Sequence, residues 1–270
     1  MNISAKPRVS IVVCSIDAKK FQQVSDNYLR LYAGQPIEII GIHDARSLAE
    51  GYNRGIAQAK GETLILSHDD IEILTLDFAA RVEQHLSNFA LIGIAGTTRL
   101  TEGRWAAAGD PYVYSLISSP LPDGSGFGTM LLGGGPLVVS EIQALDGVFM
   151  AMRREVATAT GFDATVFDHF HHYDLDFSFR AFRAGRRLAV CRDLVLIHES
   201  TGRYDAIWDE YKRRFEAKHR EHLPAQWNAR EGARASFSAT TRQEIVRRCA
   251  PGQLAPILDQ IGRANTALQR

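Results

Sequence analysis

Cysteine is scarce in this chain of 270 residues. Cys14, Cys191 and Cys249 lie far apart and form no C-x-x-C pair, which excludes a small disulfide scaffold and suits a reducing cytoplasm. Net charge is absent as well, with 31 Lys and Arg set against 31 Asp and Glu. That balance argues against nucleic acid as a partner held by bulk charge. No apolar run approaches the roughly 20 residues that a membrane helix requires. Residues 9–16 resemble a signal core only briefly, because Asp17, Lys19 and Lys20 follow with no small-residue cleavage site. What is present is 45% hydrophobic residues, enough for a sizeable core in one large domain or two small ones. The expectation is a soluble, cytoplasmic, globular protein.

The first hundred residues alternate between two patterns. Val9 to Cys14 (VSIVVC) is a β-branched, unbroken apolar run, as in a strand covered on both faces. Phe21, Val24, Tyr28 and Leu31 recur at helical spacing until Gly34 and Pro36 close the segment. Residues 37–42 read as a second strand. Ser47 and Glu50 form a capping box before a helix with Leu48, Tyr52 and Ile56 on one face, closed by Gly61. A third strand over 63–66, a third helix bearing Phe78, Val82 and Leu86, and a fourth strand over 91–95 complete the series. This alternation predicts right-handed crossovers, an α/β fold and a mostly parallel sheet flanked by helices.

From 97 to 136 the pattern stops. The stretch holds eight of the 22 glycines and four of the nine prolines, a density that suits a functional insertion. Trp105, Tyr112 and Tyr114 within it favour a substrate-facing loop over a plain linker. Regular patterns return with a strand over 148–152, a short helix from Glu155 to Gly161, and a helix bearing Leu175, Phe179 and Phe182. Strands over 188–191 and 194–197 follow, then a charged helix over 203–222 with Trp208, Tyr211 and Phe215 on its apolar side. Beyond Pro224 the composition changes: residues 225–270 hold seven arginines, no lysine and three acids. The chain thus divides into a main domain, 1–224, and a helical C-terminal extension, 225–270. The extension suits packing, homo-oligomer formation or peripheral contact with the anionic inner face of a membrane.

Open parallel sheets bind ligands outside the carboxyl ends of their strands. Ser15 and Asp17 follow the first strand, His43 and Asp44 the second, and Ser67-His68-Asp69-Asp70 the third. Two adjacent acids after a buried strand concentrate negative charge at a low-dielectric rim, a cost that a bound cation relieves. Hard oxygen ligands suit Mg²⁺ or Mn²⁺ carried in with a diphosphate. The alternative is that one acid caps the next helix and the other is solvated. His198 ends a predicted strand, where it is either a satisfied surface residue or an imidazole partner for the same ion. His169, His171, His172, Tyr173, Asp174 and Asp176 open a helix. Its acids serve either the helix cap and dipole or, at a pocket mouth, as a general base.

In chain order, the motifs are Asp44 after strand two, Asn53-Arg54-Gly55-Ile56, Gly61-Glu62 and the acid pair after strand three. Leu145-Asp146-Gly147-Val148-Phe149-Met150 follows with Arg153-Arg154-Glu155, then Gly161-Phe162-Asp163, Tyr173-Asp174-Leu175-Asp176-Phe177-Ser178-Phe179-Arg180 and Gly185. The series resembles family-2-type glycosyltransferases of the GT-A fold, in the branch that includes streptomycin-cluster glycosyltransferase-like proteins. The likeness spans about 9–223 and leaves the tail uncovered.

The resemblance implies roles. Asp44 matches the acid that contacts the nucleotide base, with the Ser15 loop on the other side of that pocket, and Asn53 belongs to the donor-side motif. His68-Asp69-Asp70 occupies the metal motif: Asp70 would bind Mn²⁺ or Mg²⁺, its neighbours would contact ribose or sugar, and His198 would complete the metal site. Asp146 and Gly147 lie where such enzymes shape the donor-sugar and acceptor pocket, and Trp105 falls on the acceptor side. Asp174 matches the catalytic base, with Asp176 as its rival. His68 stands where the family has an acid, and Tyr173 where it has a glutamate. The implied reaction moves a sugar, with inversion, from a UDP-, GDP- or dTDP-sugar to a hydroxyl of a glycan, a lipid-linked or a small-molecule acceptor. Two alternatives stay open: a metal-dependent hydrolase built on Asp69, Asp70 and the histidines, and a catalytically silent nucleotide-sugar binder.

Overall fold

Val9–Cys14 forms strand β1, and its residues from Val9 to Val13 are all buried because helices cover both of its faces. The computed structural model describes residues 7–200, 202 and 204–267. Helix α1 (Ala18–Leu31) starts at Asp17, whose carboxylate accepts from the amides of Lys19 and Lys20. Strand β2 (Ile37–Ile42), helix α2 (Leu48–Gln58) and strand β3 (Thr63–Ser67) follow, and β1 pairs in parallel with both β2 and β3. At the start of α2 the Ser47 hydroxyl accepts from the Glu50 amide at 3.1 Å, while Glu50 returns its carboxylate to the amide of Arg46. Gly55 lets α2 lie close on β1, since any Cβ there would collide with Val12.

Next come β4 (Ile71–Ile73), α3 (Phe78–Leu86), β5 (Leu91–Gly93) and β6 (Ala95–Thr97). The expected fourth strand is therefore two strands, and they belong to different sheets. The insertion contains the hairpin β7 (Val113–Pro120) and β8 (Phe127–Leu132), and β9 (Val138–Val139) and β10 (Ala144–Leu145) follow it. Its strands were hidden in the pattern because polar side chains are buried there: the Ser118 and Thr129 hydroxyls bond across the hairpin at 2.7 Å. Strand β11 (Phe149–Arg153), helices α4 (Arg154–Thr160) and α5 (Tyr173–Arg183), strands β12 (Leu188–Cys191) and β13 (Leu196–His198), and helix α6 (Ala206–Lys218) complete the region up to 224.

The main sheet runs β2-β1-β3-β11-β5-β12-β9. Three of its ladders are parallel, and β11 enters antiparallel between β3 and β5, so the sheet is mixed. A continuous apolar run marks a strand covered on both faces but carries no sign of its direction. One apolar core lies under α2, α4 and α5, and a second lies under α1 and α3. The other sheet runs β10-β6-β7-β13-β4, with β8 paired on β7.

The tail is more than a helical extension. Strand β14 (Ala235–Ala239) pairs antiparallel with β8, and helices α7 (Arg242–Arg248) and α8 (Pro251–Ala267) cover that sheet. Ile245, Leu254, Leu258 and Ile261 are buried against Leu116, Leu131, Val195 and Ile197. Asn265 donates to Asp110 at 3.2 Å and accepts from the Ala233 amide at 2.7 Å, so insertion and tail are sewn together. Arg242 meets Glu72 at 2.6 Å, and Arg248 meets Glu244 at 2.9 Å, so part of the tail's positive charge is used within the chain. No helix among the described residues is long and apolar enough to cross a membrane.

Candidate active site

The carboxyl ends of β1, β2 and β3 bring three sets of polar groups to one edge. Ser15 is buried, and its hydroxyl donates to Asp69 at 2.6 Å. Its carbonyl accepts from His43 Nδ1 at 2.8 Å, which links the β1 and β2 ends. Asp44 stays at the exposed rim, where the Arg54 guanidinium at 2.7 Å holds its carboxyl below the usual range. Asn53 does not belong to this edge. Its amide spans the backbone of Phe162, donating to the carbonyl at 2.8 Å and accepting from the amide at 2.9 Å. With both ends of the amide used on Phe162, Asn53 ties α2 to the loop after α4.

The second sheet supplies what the first lacks. β13 runs antiparallel to β4 with His198 opposite Ile71, so His198 arrives beside Asp70 although 128 positions separate them in sequence. His198 Nε2 lies 3.3 Å from Asp70 Oδ1, and His68 Nδ1 lies 3.9 Å from the same oxygen. One ligand-type atom from each of His68, Asp70 and His198 fits within a span of 4.8 Å. Burial alone would raise the Asp70 carboxyl. Hydrogen bonds from His198 and Ser200, with the nearby imidazoles, more than offset this and hold it well below its ordinary value. Burial and the neighbouring His198 keep His68 neutral.

His68 thus joins the metal-type cluster, where the resemblance had given it a donor-side contact. Its Nε2 lies 3.0 Å from the Tyr173 hydroxyl, which in turn donates to the Gly147 carbonyl at 3.5 Å. In the tautomer that donates from Nε2 to the Tyr173 oxygen, His68 turns its Nδ1 lone pair toward Asp70. A metal-binding imidazole is commonly oriented in this way. Tyr173, an apparent departure from the family pattern, has a task here that no local sequence signal showed.

Asp174 opens α5 in its first turn, and its Oδ2 accepts from the Gly147 amide at 2.7 Å. Burial first, and the charge of Asp146 second, push its carboxyl up to about 7. Asp146 is held in turn by the Trp105 indole N–H at 2.9 Å and the Val148 amide at 3.0 Å. Gly103, Arg104, Trp105, Asp146, Asp174 and Trp208 are among the residues around a cavity of about 80 Å³. A larger cleft of about 300 Å³ borders Asp69 and Asp70 on the α1 side.

Gly147 is required by close approach: a Cβ there would lie 2.6 Å from the Asp174 Cβ and would strike the Tyr173 hydroxyl. Gly147→Ala is therefore expected to displace Asp174 and Tyr173 together and to lower kcat by about 100-fold, as misplaced catalytic groups do. Steady-state kinetics checks this, and near-normal kcat would show that the turn yields without moving Asp174.

Asp176 is a structural acid. Fully buried, it meets Arg180 at 2.8 Å, Lys218 at 2.7 Å and His219 at 2.8 Å. Residues two apart on a helix face away from each other, so Asp176 points at α6 when Asp174 points at the cavity. The rival to Asp174 thus faces away from the cavity. Asp176→Ala is expected to cost about 3 kcal/mol by stranding the partly buried Arg180 and Lys218. Thermal unfolding measures that cost, and an unchanged Tm with lost turnover would return Asp176 to the chemistry. Another His-Cys-Asp cluster (His85, Cys191, Asp193) lies on the α3 side, where Arg81 already pairs with Asp193 at 3.1 Å.

Against known proteins, the profile of a family described as glycosyltransferase-like matches residues 10–222. The chain belongs to that glycosyltransferase-like family. No curated protein matches this glycosyltransferase in sequence. Among solved structures it is similar to the mannosyltransferase PcManGT from Pyrobaculum calidifontis, solved in complex with GDP-Man and Mn²⁺. That pair shares 13% identity with a TM-score of 0.50, covering 98% of this chain and 75% of the other. It is also similar to S. aureus TarS 1-349, at 12% identity and a TM-score of 0.42 over 80% of this chain and 72% of that one. The fold of the glycosyltransferase is GT-A-like, with its mixed sheet flanked by helices.

Proposed function

We propose that this glycosyltransferase transfers a sugar from a nucleoside-diphosphate sugar (UDP-, GDP- or dTDP-linked) to an acceptor hydroxyl, with inversion and with Asp174 as base. The observation that carries this reading is one edge holding both a three-residue metal-type cluster and a carboxyl raised to about 7. The motif series further supports a place beside the streptomycin-cluster branch. The donor set of His68, Asp70 and His198 fits a divalent ion, since two imidazoles and a carboxylate held well below its ordinary range each offer one ligand atom within a short span. Two nitrogens and one oxygen favour Mn²⁺ over Mg²⁺. Bound there, the ion would neutralise charge gathering on the departing diphosphate.

The chain's own residues do the rest. Ser15, Asp69 and Asp44 line the edge on which ribose and base would lie. Asp174, anchored through Oδ2, offers Oδ1 to the acceptor hydroxyl. As the acceptor oxygen bonds to the anomeric carbon, the bond to the diphosphate breaks and the hydroxyl proton passes to Asp174. A base tuned near neutrality is both ionised and strong enough for that transfer. A single displacement of this kind inverts the anomeric centre.

Calorimetric titration with UDP, GDP and dTDP, with CMP as contrast, tests the reading with and without Mn²⁺. One diphosphate is expected to bind, and only with the metal. Mn²⁺ binding without any nucleotide would instead favour a metal-dependent hydrolase.

A further inference from the structure

The cavity in front of Asp174 has walls that the transfer step does not use. Two of the three tryptophans, Trp105 and Trp208, share it with Tyr204. Trp105 is pinned by its hydrogen bond to Asp146. Trp208 packs 4.9 Å from the His172 ring and 5.1 Å from Tyr204, edge to face, while Tyr204 remains 68% exposed. Aromatic faces fixed by packing thus stand beside two carboxylates. A pyranose ring has the complementary surface, with C–H groups on its faces and hydroxyls around its edge.

One charge in the lining is uncommitted. Arg104 is exposed and its guanidinium makes no hydrogen bond or ion pair among the described residues, although Asp146 and Asp174 border the same cavity. Nearby Lys212, by contrast, is neutralised by Glu102 at 3.1 Å and Glu216 at 3.2 Å. Burial pushes the His172 imidazole down to about 4, which leaves Arg104 as the cation of this lining among the described residues at neutral pH. Arg104, Asp146 and Asp174 all act on the Tyr204 hydroxyl, so the cation and the acids face one space.

We infer that the acceptor is a saccharide bearing an anionic group, a carboxylate or a phosphate, with its ring on Trp208 and Tyr204 and its charge on Arg104. This rests on the reading of Asp174 as the base that receives the acceptor's proton.

The test uses the chain's own fluorescence. Trp227 lies elsewhere, donating to the Ala108 carbonyl and stacked under Arg99, so Trp227→Phe leaves emission to Trp105 and Trp208. That protein is titrated with methyl uronides, hexose 6-phosphates and neutral methyl glycosides in gluco, galacto and manno configuration. Each titration is run alone and with Mn²⁺ and nucleoside diphosphate, and nucleotide binding is measured in the same sample. At least one anionic saccharide is expected to bind about tenfold or more tighter than its neutral counterpart, the scale of one charge-assisted contact. Arg104→Gln is expected to erase that preference while neutral binding persists, and Tyr204→Ala to weaken both. Equal binding of the two kinds, no response to any saccharide, or a preference that survives Arg104→Gln overturns the inference. Loss of nucleotide binding alone would count against the transferase reading and leave the saccharide result to stand by itself.

Discussion

Asp174→Asn is expected to keep nucleotide binding and to lose turnover by about 10²–10⁴-fold, the usual contribution of a positioned general base. The amide preserves the size of the side chain and can still accept from the Gly147 amide, so the α5 start and the Tyr173 link to His68 stay in place. What disappears is a group able to take the acceptor's proton. In the wild type kcat is expected to rise with pH through about 7 as Asp174 ionises, and the variant is expected to lack that limb. Stability moves the other way. The folded carboxyl holds its proton up to about 7, whereas an unfolded Asp releases it near 4, so stability falls as pH rises across that window. Asp174→Asn is thus expected to melt higher than wild type at pH 8 and about equally at pH 4. Full activity in the variant would move the base elsewhere, and unchanged function without turnover in either protein would favour the silent nucleotide-sugar binder.

Asp70→Ala is expected to abolish metal-dependent nucleotide binding while the fold survives. Asp70 supplies the sole carboxylate of the His68-Asp70-His198 cluster, and two imidazoles hold an ion poorly once it is gone. The expected loss of Mn²⁺ affinity exceeds about 100-fold, because even groups that only orient a ligand are worth 10–100-fold. Tyr173→Phe removes such an orienting group from His68 and is expected to weaken Mn²⁺ by about tenfold. Calorimetry, or the electron paramagnetic resonance signal of free Mn²⁺, measures both without relying on turnover. Unchanged Mn²⁺-dependent affinity in Asp70→Ala would remove the ion from this cluster.

Much of the fold could be read locally. The unbroken apolar run of β1, the Ser47-Glu50 cap and the helical spacing along α1 and α3 name their elements because each depends on residues within a few positions. The polar groups at the ends of β1, β2 and β3 were likewise visible, since parallel pairing carries them to the same side of a sheet. The insertion and the tail were not. Serines and threonines buried in β7 and β8 satisfy one another only across the hairpin, and β14 becomes a strand only on the free edge of β8.

The site divides along the same line. Residue chemistry and order determined that acids and imidazoles gather past the strand ends and that Asp174 opens a helix. Tertiary structure alone decided what those groups do. It set His198 beside Asp70 through the β13–β4 ladder and turned His68 into the cluster through Tyr173. It buried Asp176 against Arg180, Lys218 and His219, used the Asn53 amide to hold Phe162, and placed Asp146 where its charge raises Asp174. Each of these depends on a partner tens of positions away or on the depth of burial. Sequence spacing encodes neither, because a side chain's proton affinity and its hydrogen-bond partners are properties of the space around it.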